Sequence, residues 1–185
     1  MDLNVTDNDG CTPLHDACGY GHTEIVKLLL LGHPKSQELD LNVTNNDGCT
    51  ALHDACDSGH TEIVKLLILV HPKSQELDLN VTDNDGCTAL HLSCENGHKE
   101  IVKLLLEHPK YQELDLNATD YDGWTALHFA CQCGHKEIVK LLLEHPKSQQ
   151  LDLNVTSNDG ETALEIAISA NYEEIAKLIM SKSEI

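Results

Sequence analysis

Asp9-Gly10-Cys11-Thr12-Pro13-Leu14-His15-Asp16-Ala17-Cys18 is the stretch on which the fold turns. Thr12 suits a helix N-cap, because its hydroxyl can accept from a first-turn amide that has no partner inside the helix. Pro13 then takes the first helical position, where its missing N–H costs nothing. Leu14, Ala17 and Cys18 follow at helical spacing on one face. Gly21 breaks this short helix, and a second runs from Thr23 to Leu31 with Ile25, Val26, Leu28 and Leu29 apolar. His33-Pro34 ends it, since proline disfavours helical geometry in the residue before it. Leu39-Asp40-Leu41-Asn42-Val43-Thr44 alternates apolar and polar residues and reads as a short extended arm. Asn46-Asp47-Gly48 then turns the chain.

The same text recurs at Asp47-Gly48-Cys49-Thr50-Ala51-Leu52-His53, Asp85-Gly86-Cys87-Thr88-Ala89-Leu90-His91, Asp122-Gly123-Trp124-Thr125-Ala126-Leu127-His128 and Asp159-Gly160-Glu161-Thr162-Ala163-Leu164-Glu165. The glycines at 10, 48, 86, 123 and 160 lie 38, 38, 37 and 37 residues apart. A fixed period of this size marks a solenoid. Neither short helix buries its apolar face alone, so neighbouring units must supply the missing surface. The units fall at approximately 1–38, 39–76, 77–113, 114–150 and 151–185, in a single domain spanning 1–185.

Gly-x-Thr-Pro-Leu-His-x-Ala-Cys followed by Gly-His-x-Glu-Ile-Val-Lys-Leu-Leu resembles the ankyrin repeat, over nearly the whole chain. The resemblance implies an all-α solenoid of helix-turn-helix units joined by short extended arms. The family period is about 33 residues, so the extra residues are expected in His-Pro-Lys-Ser-Gln-Glu-Leu, as an enlarged loop on the outer helix side. In the last unit Glu165 replaces histidine and Asn171-Tyr172 replaces Gly-His, which reads as a C-terminal cap. The first unit lacks such specialisation, and the array is expected to be a monomer or a fragment of a longer one.

The resemblance also implies a binding surface made of arm tips and the exposed side of each first helix. By repeat phase this surface includes Asn84, Asp85 and Cys87 in unit three and Asn158 and Asp159 in unit five. Comparison among the units singles out the fourth. It carries the only tryptophan, the only phenylalanine and one of four tyrosines at these positions. Binding energy concentrates in a few buried aromatic anchors. Leu92, Glu95, Asn96, Tyr121, Asp122, Trp124, Phe129, Gln132 and Cys133 are therefore the expected partner-binding residues. The competing reading packs Trp124 and Phe129 against neighbouring units.

Charge narrows the partner. The chain has 31 acidic residues against 12 basic ones, for a formal charge of −19. Such a surface repels phosphate backbones and lacks the basic patch that nucleic-acid binding needs, so nucleic acid and anionic membrane are excluded. A protein partner with a neutral or basic surface is the easier fit. The longest apolar runs, Leu28–Leu31 and Leu66–Val70, fall far short of the roughly 18 residues of a membrane span. The N-terminus has no positively charged leader segment. Eight cysteines recur mostly at two repeat phases, and stacked helices sit about 8–10 Å apart, too far for a disulfide. Reduced thiols and a cytoplasmic location are expected.

Catalytic and metal chemistry finds little support. The twelve histidines occupy three phases: His15, His53, His91 and His128; His22, His60, His98 and His135; and His33, His71, His108 and His145 before proline. The first set holds the family's signature position, where the ring ties adjacent units. A structural zinc site needs four ligands in tetrahedral array, and one level of the stack offers two. Cys131-Gln132-Cys133 with His135 is the least unfavourable place. A nucleophile copied in every unit suits scaffolding more than a single active site. No cofactor is expected. Asn4, Asn42, Asn80, Asn117 and Asn154 each head an Asn-x-Thr glycosylation pattern, which without a secretory signal reads as one match copied five times. The surrounding Asp-Leu-Asn also resembles the site that asparaginyl hydroxylases modify in ankyrin repeats.

The expected function is a non-catalytic protein-protein interaction scaffold or adaptor. The alternative is a structural spacer or elastic segment of a larger repeat protein, with a metal-dependent enzyme as a remote third reading.

Overall fold

The computed structural model describes residues 2–70, 74–108 and 113–183. Expectations placed on His71-Pro72-Lys73 and on residues 109–112 lie outside the described residues. Among the described residues ten α-helices run in five pairs: α1 Pro13–Gly19 and α2 Thr23–Lys27; α3 Ala51–Asp57 and α4 Thr61–Lys65; α5 Ala89–Glu95 and α6 Lys99–Glu107; α7 Ala126–Gln132 and α8 Lys136–Glu144; α9 Ala163–Ser169 and α10 Glu173–Ser183. The odd-numbered helices pack in series, α1 on α3 through to α7 on α9, and the even-numbered ones form a second row behind them. The all-α stack of helix-turn-helix units is thus the observed architecture.

The first helix of each unit begins as its sequence dictates. Thr12, Thr50, Thr125 and Thr162 accept from the amide three residues on, and Pro13 sits at the start of α1. Leu14, Ala17 and Cys18 and their counterparts in the next three units are all buried. A comparison between units shows that no unit owns a core. Ile63, Ile101 and Ile138 are at most 1% exposed, whereas Ile25, with no unit packed before it, is 47% exposed. The same holds for Leu28, 65% exposed, against 5% for Leu66.

The second helix differs from its expected form. In units one and two the α-helix stops at Lys27 and Lys65 and continues as a π-turn, Leu28–Gly32 and Leu66–Val70. In units three and four it stays regular to Glu107 and Glu144. The reason is arithmetic. Between the histidine before the helix and the one before proline, units one and two carry one residue more, which makes their period 38 and not 37. A wider turn absorbs that residue inside the helix. The following Lys-Ser-Gln segment winds as a short 3-10 turn, Ser36–Glu38, Ser74–Glu76 and Pro146–Gln150.

The arm buries Leu39 and Leu41 but is more turn than strand. Among the described residues its pairing reduces to isolated bridges, Thr44 with Thr50 and Thr156 with Thr162. Gly48 closes the turn at φ +78°, and a Cβ there would stand 2.9 Å from the Asn84 amide nitrogen. Backbone conformation and close approach both demand glycine.

Candidate functional site: the trough at units three and four

Side-chain ladders fix the loops from which the site is built. His15 Nε2 donates to the Cys49 carbonyl at 3.0 Å, His53 to Cys87 at 3.2 Å, His91 to Ala118 at 2.9 Å and His128 to Glu161 at 3.3 Å. In each, Nδ1 accepts from the capping threonine's amide. One nitrogen donating and the other accepting defines a neutral ring. Burial accordingly lowers the pKa of all four. A second set points the opposite way along the stack: His60, His98 and His135 donate Nε2 to the carbonyls of Gly19, Asp57 and Glu95 in the preceding unit.

The asparagines of Asp-Leu-Asn form a third ladder. Asn42 Nδ2 donates to the Glu76 carbonyl at 3.0 Å, and its Oδ1 accepts from the Asp78 amide at 2.9 Å. Asn4, Asn80 and Asn117 make the same pair of bonds, to the last carbonyl of their own unit and to an amide of the next. A glycan would therefore have to be placed on a carboxamide nitrogen that already donates to a carbonyl. Sequence reasoning missed this role. The signal was present in the recurrence of Asn at one phase, but its partners lie 33 to 36 residues away.

A fourth ladder joins the loop tips. Asn46 donates its amide to the Asp9 carbonyl and its side chain to the Asn8 carbonyl, and Asn84 does the same to Asp47 and Asn46. Unit four breaks the series. Tyr121 keeps the backbone bond to Asp85 but has no carboxamide, and its ring is 72% exposed. Within the same loop Asp120 Oδ1 accepts from the amides of Asp122 at 2.9 Å and Trp124 at 2.7 Å, which sets the direction in which Trp124 leaves the backbone.

Tyr121 and Trp124 join Phe129 of α7 along an open trough of about 790 Å³. Seven of the nine residues expected from sequence line it: Glu95, Tyr121, Asp122, Trp124, Phe129, Gln132 and Cys133. Leu92 and Asn96 do not. Leu92 is half-buried, and Asn96 turns away to donate to Asp57 Oδ1 at 3.0 Å and the Leu92 carbonyl at 3.1 Å. Asp85, Cys87, Asn158 and Asp159 also line it, as their repeat phase implies. Asp120 lines it too, and its position before the turn gave no hint of this.

Trp124 and Phe129 divide their surface between roles. Both are partly buried against the core, with ring centroids 5.3 Å apart. Phe129 also meets His91 of unit three edge-on at 5.9 Å. They are thus partly packing residues, and their remaining surface faces the trough. Burial, then Asp57 and Asp120, raises the pKa of Glu95. Burial raises the thiols of Cys133 and, to about 12, Cys87, so neither is an activated nucleophile. Cys131 is buried, Cys133 exposed, and His135 is bonded to the Glu95 carbonyl, so these three do not converge. Among the described residues no three metal-ligating side chains come together, and no helix is long and apolar enough to cross a membrane.

A family model described as ankyrin repeats (3 copies) matches residues 1–76, 69–157 and 110–185. The chain belongs to the ankyrin repeat family. Such repeats generally bind proteins and are typically non-catalytic. A stretch of 35 residues is 54% identical to the mouse SMC5-SMC6 complex localization factor protein 1, covering 19% of this ankyrin chain and 3% of that protein.

Proposed function

We propose that this ankyrin array is a non-catalytic scaffold that holds a protein partner at the trough of units three and four, and that it works in the cytoplasm without a cofactor. One observation carries the reading. Unit four departs from the repeat where departure exposes aromatic surface: tyrosine stands for the ladder asparagine at 121, tryptophan for cysteine at 124, and phenylalanine for aspartate or leucine at 129. A residue chosen only to stack units would keep the ladder bond that Tyr121 gives up. The excess of carboxylates supports a partner with a neutral or basic surface and disfavours nucleic acid. The spacer reading draws its support from units one and two, where the ladders run unbroken.

The test restores the repeat's own residues. Trp124→Cys with Phe129→Leu gives unit four the side chains of unit three. Partner capture from a lysate should fall at least about thirtyfold, the weight of an interface anchor of about 2 kcal/mol. The melting midpoint should fall by no more than about 4 °C. Intact capture with a much larger loss of stability would assign both rings to packing and end the reading.

A further inference from the structure

The chemistry of the trough specifies what enters it. Three aromatic rings, Tyr121, Trp124 and Phe129, share its lining with the carboxylates of Asp85, Glu95, Asp120, Asp122 and Asp159. No lysine lines it. Lysines elsewhere pair with acids on the second helices, as in Lys27 with Glu24, Lys99 with Glu137 and Lys136 with Glu174. Among the described residues none pairs with a trough carboxylate. Asp120 is held by its turn, and Glu95 lies close enough to Asp57 and Asp120 for their charges to oppose its ionisation. A cation would relieve that repulsion, and aromatic faces attract cations through their quadrupoles. An apolar anchor would leave five carboxylates uncompensated, and an acidic one would add to them.

We infer that the trough receives a cationic side chain, lysine or arginine, from an extended segment of the protein partner, set against the Trp124 and Phe129 rings beside Glu95 and Asp120. This rests on the scaffold reading and gives it a chemical address. The trough is partly open to solvent, so backbone can pass over it while one side chain enters. The ammonium or guanidinium gains from ring faces and carboxylates together, while its alkyl stem covers the half-buried aromatic surface.

Trp124 is the chain's only tryptophan, so its emission reports on the trough directly. The full chain is titrated with four blocked ten-residue glycine-serine peptides carrying three central lysines, arginines, acetyl-lysines or norleucines. The lysine and arginine peptides should give saturable changes in emission, and the two neutral ones should bind at least about tenfold more weakly. Glu95→Gln should weaken the cationic peptides about tenfold. Asp9→Asn, the same loss of charge in unit one, should leave the titration unchanged. Equal binding of the acetylated peptide, no saturable change with either cationic peptide, or equal weakening by Asp9→Asn each overturns the inference. Capture of a partner that depends on Trp124, without any preference for cationic peptides, would sink this inference and spare the scaffold. Capture indifferent to Trp124 would sink the scaffold itself.

Discussion

Replacing His53 tests whether neighbouring units hold one another through a neutral imidazole. The ring is 2% exposed. Its Nε2 donates to the Cys87 carbonyl of the next unit at 3.2 Å, and its Nδ1 accepts from the Thr50 amide at 3.2 Å and meets the Thr50 hydroxyl at 2.8 Å. Alanine removes these bonds, strands a buried amide and a carbonyl, and leaves a ring-sized void. With about 1 kcal/mol for each of the two bonds to backbone and about 1–2 for the stranded groups and void, the cost is about 3–4 kcal/mol. Asparagine can retain the acceptor near Nδ1 and glutamine the donor near Nε2, so each should cost about half as much. Urea unfolding followed by far-ultraviolet dichroism and by Trp124 emission measures both, and two probes are needed because repeat arrays can unfold in parts.

The same substitution has a pH signature. Burial lowers the folded pKa of His53, so as pH falls below the ordinary value of about 6.5 the unfolded chain takes up the proton first. The stabilisation is full above that pH and is lost as pH falls toward the folded value. His15, His91 and His128 act with the same sign. Each adds at most about 1.4 kcal/mol per pH unit to the acid slope. His53→Gln should remove one such share. A cost below about 1 kcal/mol for His53→Ala at pH 7.5, or an unchanged acid slope for His53→Gln, would refute the reasoning.

Two further outcomes follow from the same geometry. Asn42→Ala loses its bonds to the Glu76 carbonyl and to the Asp78 amide of unit three and should cost about 1–2 kcal/mol, whereas Asn154→Ala, at an exposed residue that makes no such pair of bonds among the described residues, should cost almost nothing; equal costs in urea melts would dismiss the ladder. Asp54, with its pKa raised to about 7 by burial and then by Asp57, Asp16 and Asp47, is unfavourable once ionised. Its folded form holds a proton that the unfolded chain has released, so stability declines as pH rises from about 4 through 7. Asp54→Asn should therefore gain about 1–2 kcal/mol at pH 8, a figure reduced for partial exposure, and nothing at pH 4. The same gain at both pH values would show that charge is not the cause.

The repeat, the helix starts and the stack were legible in the residues alone, because each rests on local chemistry. Thr12 caps, Pro13 begins, Leu14, Ala17 and Cys18 face inward, and a period of 37 to 38 residues forces neighbours to share a core. The residues also pointed to unit four, since departures from a repeated text are visible without coordinates. Where side chains end depends on how the units pack. The carboxamide of Asn42 and the ring of His53 find their partners 34 to 36 residues away, across a boundary that no local pattern describes. The extra residue of units one and two could have joined a loop, and its capture as a π-turn depended on packing. Trp124 could have been wholly buried or wholly free. Its half-burial beside Phe129, among carboxylates from three units, follows from how neighbouring units are spaced and turned. Spacing and rotation between units are properties of the stack, and no single repeat contains them.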